Sequence, residues 1–292
     1  MALAALSQDE QRIIFNQLCN PLDPGIAVAF SSASSELRAL TQAPRQRLQA
    51  DHQAATALCR KARKRSCKEL REAKQVELYL HGLSADDLAL LGTLGSVLPA
   101  LEGLHLTEPK AGADSVPRMA EKLRAGALPA VHLLNLNTTP VGDAGASALA
   151  SALGRGALPR LACLHLGSTG IGDAGLVALA PALWRLRALE CLELDNNPVG
   201  DEGFAALVSS LPRAADAPNM QGLTTLVALS FSYTRIADAS CAVLAAALDS
   251  VLPSLERVNL HGIPASAAER DAMLQLGMDH GLAVEWLDPV YK

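Results

Sequence analysis

The sequence predicts an α/β solenoid, a stack of short parallel strands each followed by a helix, preceded by an all-helical head. Three observations carry this reading. The phrase LxxLxL recurs at Leu101, Val131, Leu161, Leu189, Leu226 and Leu255, at spacings of 30, 30, 28, 37 and 29 residues, and self-similarity at such a period marks stacked repeats. Each phrase leads through a turn into an Ala/Leu-rich stretch with helical spacing, as at Leu149 and Leu153 or Leu244 and Leu248. The first 75 residues hold no copy of the phrase and pattern as helices. Residues 1–75 are therefore read as the head and 76–292 as the solenoid with its C-terminal cap.

In the head, Ser7 and Glu10 before Ile13-Ile14-Phe15 and Leu18 predict a capped amphipathic helix, and Pro21 to Gly25 predict a turn. A second helix is expected over Ile26 to Leu40, and a longer one from about Pro44 to Lys74. The solenoid opens with a weaker strand, QVELYL, in which Leu78 and Leu80 are read as the phased pair. It continues through the six phrases and closes on LAVEWL with Val284 and Trp286, giving eight strand positions. Within each phrase the last two apolar residues lie two apart, so both face the core and the residue between them faces outward. Thr139, Thr169, Asn197 and Thr234 follow the strands, where they can bond backbone groups of neighbouring turns as a buried polar ladder. Asp143, Asp173, Asp201 and Asp238 then precede helical runs, as N-caps would. Arg213 to Gly222 form an insertion expected to be a surface loop, and Pro264-Ala265-Ser266 replace the Gly-Asp pair in a terminal cap.

Composition excludes several classes. Half the residues are hydrophobic but only 3% aromatic, so the core is expected to be Leu, Ala and Val. No apolar run approaches the roughly 18 residues of a membrane span. Met1 to Leu6 lack the basic region of a secretory signal, and six cysteines without a CxxC pair suit a reducing compartment. The expected location is cytoplasmic, with nuclear import as the alternative offered by the basic run Arg60 to Lys68. On a helix that run also reads as a solvated face. Residues 1–75 carry 12 Lys/Arg against 7 Asp/Glu, whereas residues 76–292 carry 13 against 23. An acidic solenoid argues against a nucleic-acid groove and favours a basic protein partner.

The phased repeat resembles the leucine-rich repeat family, in particular the long strand-plus-helix units of ribonuclease-inhibitor-like proteins, over residues 76 to 287. That resemblance implies a horseshoe with the strands lining a concave face, where a partner would dock. The head is similar to an F-box through Leu6, Ile14-Phe15, Leu18, Leu22-Asp23-Pro24 and Ser34-Ser35-Glu36-Leu37-Arg38. It departs from that pattern in having Ser7 for the proline and Leu37 for the tryptophan. This implies a ubiquitin-ligase substrate receptor docking an adaptor through Leu6, Ile14, Phe15 and Leu18. The same residues also suit a hydrophobic cap closing the end of a solenoid. A third reading is a regulator of a small GTPase, because the Ran GTPase-activating protein shares this repeat type.

Outward residues on successive strands form two columns. One runs Tyr79, His105, Asn135, His165, Glu193, Ser230, Asn259 and Glu285; the other runs His81, Thr107, Asn137, Gly167, Asp195, Ser232 and His261. These are the candidate partner-binding residues, polar and poor in the Trp, Tyr and Arg anchors of hot spots. Four histidines fall here, with His165 beside Glu193 and Asp195, but flat sheet columns do not converge to tetrahedral geometry, so no metal site is expected. Cys163 and Cys191 share a repeat position and are expected to be neighbouring thiols. Gly170-Ile171-Gly172-Asp173-Ala174-Gly175 matches GxGxxG, with Asp195 twenty residues later. The repeat accounts for the match, and Asp173 would set a negative charge where a pyrophosphate binds. No catalytic constellation, cofactor or enzyme activity is expected.

Overall fold

In the computed structural model, which describes residues 6–209, 223–248 and 251–286, the chain divides into two compact units: Met1–Ala73 with Val97–Ala100, and Lys74–Ser96 with Leu101–Lys292. The Arg213 to Gly222 insertion, most of the N-terminal segment read for a signal, and the chain beyond Trp286 lie outside the described residues.

Among the described residues the head has five helices: α1 (Gln8–Leu18), α2 (Gly25–Ser32), α3 (Ser35–Leu40), α4 (Gln42–Lys61) and α5 (Cys67–Glu72). Helix α1 starts in a full capping box. The Glu10 N–H donates to Ser7 Oγ at 3.3 Å, and the Ser7 N–H donates to Glu10 Oε2 at 2.8 Å. The expected second helix is divided, because the Ser34 hydroxyl takes the Leu37 N–H at 3.1 Å and restarts the chain as α3. The expected long helix also breaks. Arg63 turns left-handed at φ 53°, Lys64 N–H closes on Cys59 C=O at 2.8 Å, and Ser66 caps α5. The basic run therefore spans a helix end, a turn and a helix start rather than one helical face. Phe15, Ala27 and Leu48 form one buried cluster of the head, with Leu18, Cys19 and Phe30 packed against it.

The solenoid alternates strand and helix. Its strands are β1 (Gln75–Tyr79), β2 (Gly103–Thr107), β3 (Leu133–Asn135), β4 (Cys163–His165), β5 (Cys191–Glu193), β6 (Ala228–Ser230), β7 (Arg257–Asn259) and β8 (Ala283–Glu285). They pair in chain order, all parallel, in one eight-stranded sheet. The helices are α6 (Ala85–Leu94), α7 (Ser115–Lys122), α8 (Gly142–Gly154), α9 (Asp173–Leu183), α10 (Asp201–Ser209), α11 (Asp238–Ala247) and α12 (Ala267–His280). Leu104 and Leu106, Leu134 and Leu136, Leu164 and Leu166, and Leu192 and Leu194 are buried as the phrase requires. Each such side chain contributes about 2 kcal/mol by leaving water. The core is less uniformly aliphatic than composition suggests, since Trp184, Phe204 and Phe231 are among its largest fully buried side chains. Trp184 Nε1–H donates to the Leu207 carbonyl at 2.8 Å, and the Phe204 and Phe231 rings meet edge to face at 5.2 Å.

The phase of β1 differs from the sequence reading. Val76 and Leu78 pair with Leu104 and Leu106 as the core positions, while Leu80 is 70% exposed at φ 54°. Leu80 belongs to a recurring left-handed turn residue, with Thr138, Ser168, Asn196 and Tyr233. Their N–H groups donate to Thr107, Gly167, Asp195, Ser232 and His261 carbonyls on the following repeat, at 2.7–2.9 Å.

The polar ladder is present and buried. Asn197, 2% exposed, accepts from the N–H groups of Thr169 and Ile171 at 3.1 and 3.0 Å, and donates to the carbonyls of Leu166 and Leu194 at 2.6 and 2.9 Å. Thr139 Oγ1 donates to the Leu106 carbonyl and accepts from the Glu108 N–H. Glu108, buried at 1% exposure, has a ladder role that the repeat pattern did not reveal. Its Oε2 accepts from Gly82 and Leu83 N–H at 2.6 and 3.1 Å.

The repeat aspartates are not N-caps of their own helices. Asp143 Oδ1 accepts from Gly172 and Gly175 N–H at 2.7 and 2.9 Å, which are the cap and first-turn donors of the next helix, α9. Asp173 does the same for Gly200 and Gly203 at the start of α10. Asp201 takes the N–H groups of Ala237 and Ser240 before and within α11, and Asp238 takes Ser266 N–H at the start of α12. This geometry explains the recurrent Gly-Asp-x-Gly. A Cβ at Gly175 would lie 2.5 Å from Asp143 Oδ1 and 3.0 Å from its Cα. Ser240, at the same repeat position, instead turns its hydroxyl onto Asp201.

Candidate functional site

The strand face carries three columns, set by register. Glu77, His105, Asn135, His165, Glu193, Ser230, Asn259 and Glu285 are direct partners on successive strands. Two residues further along lie Tyr79, Thr107, Asn137, Gly167, Asp195, Ser232 and His261. Tyr79 and His81 are thus displaced from their predicted columns. The register puts Glu77 opposite His105, moves Tyr79 opposite Thr107, and leaves His81 in the turn past β1. The cause is the phase error at Leu80. Tyr79 still reaches His105 diagonally, with ring centroids 6.1 Å apart. The third column, two residues before the first, was missed: Gln75, Gly103, Leu133, Cys163, Cys191, Ala228, Arg257 and Ala283. The third letter of every LxxLxL phrase supplies it, and the period-two rule applied backwards from the outward position would have found it.

At β3 to β6 the polar side chains hold one another in place. Asn137 Nδ2 donates to Glu193 Oε1 at 3.0 Å, and Gly167 N–H donates to Asn137 Oδ1 at 2.7 Å. The bridge passes over Gly167 because that residue has no side chain; a Cβ there would meet Glu193 Oε1 at 2.8 Å. His165 Nδ1 lies 3.7 Å from Glu193 Oε2. Asp195 Oδ1 accepts from Ser230 Oγ at 2.6 Å and Ser232 N–H at 2.7 Å. At the far end Arg257 and Glu285 approach to 3.9 Å, and Asn259 Oδ1 accepts the His261 N–H.

Cys163 and Cys191 are register partners, and Cys191 Sγ is 3.9 Å from His165 Nε2. Burial pushes both thiols up, Cys191 to about 11 with Cys163 and Glu193 adding to the effect. Both are therefore protonated and weakly nucleophilic near neutrality. Burial, then Glu77, also raises the Tyr79 phenol. Among the described residues no three His, Cys, Asp or Glu side chains are grouped to hold a metal ion. The GxGxxG donors are occupied internally, because the Gly172 and Gly175 N–H groups that would face a phosphate both hold the Asp143 carboxylate.

Of the four residues read as adaptor contacts, Phe15 is fully buried within the head and is not a surface group. Leu18 packs against the same core, while Leu6 and Ile14 are half-buried. The exposed apolar residues of α1 and α2 are instead Ile13 and Ile26, at 56% and 62%.

The leucine-rich repeat family model matches residues 161–180 and 186–208, across β4, α9, β5 and α10. The solenoid has the fold of a leucine-rich repeat array. No curated protein sequence matches the chain. Among solved structures, these repeats are similar to the actin-binding site 2 of leiomodin-1, at 17% identity and TM-score 0.38 over 66% of this chain and 89% of that one. An internalin from Listeria monocytogenes is similar at 17% identity and TM-score 0.42, over 82% of this chain and 64% of that one. A Bacteroides fragilis protein is similar at 13% identity and TM-score 0.43, over 91% and 84%. No described helix is long and apolar enough to cross a membrane.

Proposed function

We propose that the chain is a non-enzymatic recognition protein of the cytoplasm or nucleus that docks a protein partner on its strand face, centred on β4 to β6. The carrying observation is two hydrogen-bonded pairs, Asn137 with Glu193 and Ser230 with Asp195, in which the side chains fix one another's positions. A partner meeting pre-ordered groups loses less conformational freedom on binding. The acidic balance of residues 76–292 favours a basic partner. The test is affinity purification with mass spectrometry from native extract, comparing the wild-type chain with the joint change His165→Ala, Glu193→Ala and Asp195→Ala, with melting followed by circular dichroism. Selective loss of a co-purifying protein from a folded variant supports the reading. An unchanged set removes the centre of the strand face from it.

A second reading, a ubiquitin-ligase substrate receptor, draws support from exposed Ile13 and Ile26 on the head. Ile13→Asp with Ile26→Asp leaves the head's core untouched and would remove an adaptor and cullin from the purified set. If neither protein appears with the wild-type chain, this reading fails. Regulation of a small GTPase is the third, checked by GTP turnover in the presence of the full chain.

A further inference from the structure

Helix α4 ends and helix α5 begins on either side of a turn that brings two thiols together. Cys59 lies in the last turn of α4, and Cys67 opens α5. Cys59 S–H donates to Cys67 Sγ at 3.6 Å, and Thr56 Oγ1 lies 3.7 Å from the same sulfur. Bonded sulfurs sit about 2.05 Å apart, so rotation about the two Cα–Cβ bonds spans the remaining gap. The pair is asymmetric. Cys59 is 2% exposed, whereas Cys67 is half-buried. Burial, then the contact with Cys67, pushes the Cys59 thiol up to about 12, which makes it a poor first nucleophile near neutrality. The turn between them carries exposed Arg60, Arg63 and Arg65, and exposed Lys68 follows Cys67.

In a compartment that keeps thiols reduced, a disulfide within reach of formation is usually transient and redox-sensing. A small disulfide bearing carboxylates, such as oxidised glutathione, is drawn to a cationic turn and meets the more accessible sulfur first.

We infer that Cys59 and Cys67 form a reversible dithiol modification site, oxidised to a disulfide by exchange with a small acidic disulfide of the glutathione type. The Cys67 thiolate attacks one sulfur of glutathione disulfide. The glutathione S–S bond breaks, a Cys67–glutathione bond forms, and one glutathione departs as a thiolate that takes up the proton Cys67 released. Cys59 then attacks Cys67 Sγ as it gives up its proton, the second glutathione leaves with that proton, and the Cys59–Cys67 bond closes. Two protein thiols are oxidised, and one glutathione disulfide is reduced to two glutathiones. The bond ties the end of α4 to the start of α5 and holds the basic turn, residues 60–66, in one closed loop.

The test equilibrates the full chain with glutathione and glutathione disulfide at fixed ratios, in buffer and in urea, quenches with acid and N-ethylmaleimide, and digests with trypsin without reduction. Mass spectrometry should find residues 48–60 joined to residues 66–68. The equilibrium constant for this link should be about tenfold larger in the folded chain than in urea, or about 30 mV for a two-electron couple. Cys59→Ser should hold glutathione on Cys67, and Cys67→Ser should take up severalfold less of it on Cys59, with circular dichroism checking each fold. No link in the wild-type chain, or an equal constant in urea, overturns the site. Equal glutathione uptake by the two variants overturns Cys67 as the point of entry. The wild-type comparison decides the site even where a variant fails to fold.

Discussion

Asn197→Ala tests whether the buried ladder holds the repeats together. The side chain satisfies the N–H groups of Thr169 and Ile171 and caps the carbonyls of Leu166 and Leu194, all inside the core. Alanine leaves two buried N–H groups without acceptors, at about 1–3 kcal/mol each, so the expected loss is about 4 kcal/mol once the orphaned carbonyls are included. Asn197→Thr should cost about half as much, because a threonine hydroxyl both accepts from a neighbouring N–H and donates to a carbonyl, as Thr139 does between Glu108 and Leu106. The assay is urea unfolding followed by far-UV circular dichroism at matched m-values, with amide exchange at Ile171 as the local probe. A loss for Asn197→Ala below about 1 kcal/mol, or equal losses for the two variants, would show that the ladder is incidental to stability.

Asp173→Ala should destabilise by about 1–2 kcal/mol, the value of a helix cap, and amide exchange should rise at Gly200 and Gly203 rather than at the start of α9. Gly175→Ala forces a methyl against Asp143 Oδ1 and Cα and should lower stability by about 1–3 kcal/mol, read as a lower melting temperature. Burial raises the thiols of Cys59 and Cys241 to about 12 and Cys191 to about 11. At pH 8 these three should therefore alkylate with iodoacetamide far more slowly in the folded chain than in urea, as measured by mass spectrometry. Because their folded values lie above the unfolded ones, the protonated thiols contribute stability below pH 9, and this is lost as pH rises from about 9 toward 11–12. A melting temperature flat across that window would contradict the assignment.

The strand and helix order was legible because a phrase repeated six times averages out local ambiguity, and the ladder residues were legible from their fixed offset after each strand. Single copies were read less well. QVELYL offers three apolar residues in alternation, and only the register distinguishes the pair Val76 and Leu78 from Leu78 and Leu80. Offset also hid Glu108, which stands one residue earlier than the ladder threonines. The aspartates were correctly placed at helix starts, but sequence adjacency suggested their own helices, and the acceptors proved to serve donors about 30 residues away, a relation visible only once the repeats stack. In the head, Ile14 and Phe15 read alike as apolar, yet one is half-buried and the other fills the core.

The aspartates that join one repeat to the next give the array a direction. From Asp143 to Ser266, each of the four aspartates serves the helix start of the unit after it, whereas Glu108 and Asn197 serve N–H groups of the unit before them. A nascent chain delivers its units in that same order, so each arriving helix meets an acceptor that the preceding unit has already set in place. Trimming the array from its C-terminal end removes a recipient, while trimming from the N-terminal end removes a donor of order, and fragments of equal length should differ in how well they hold together.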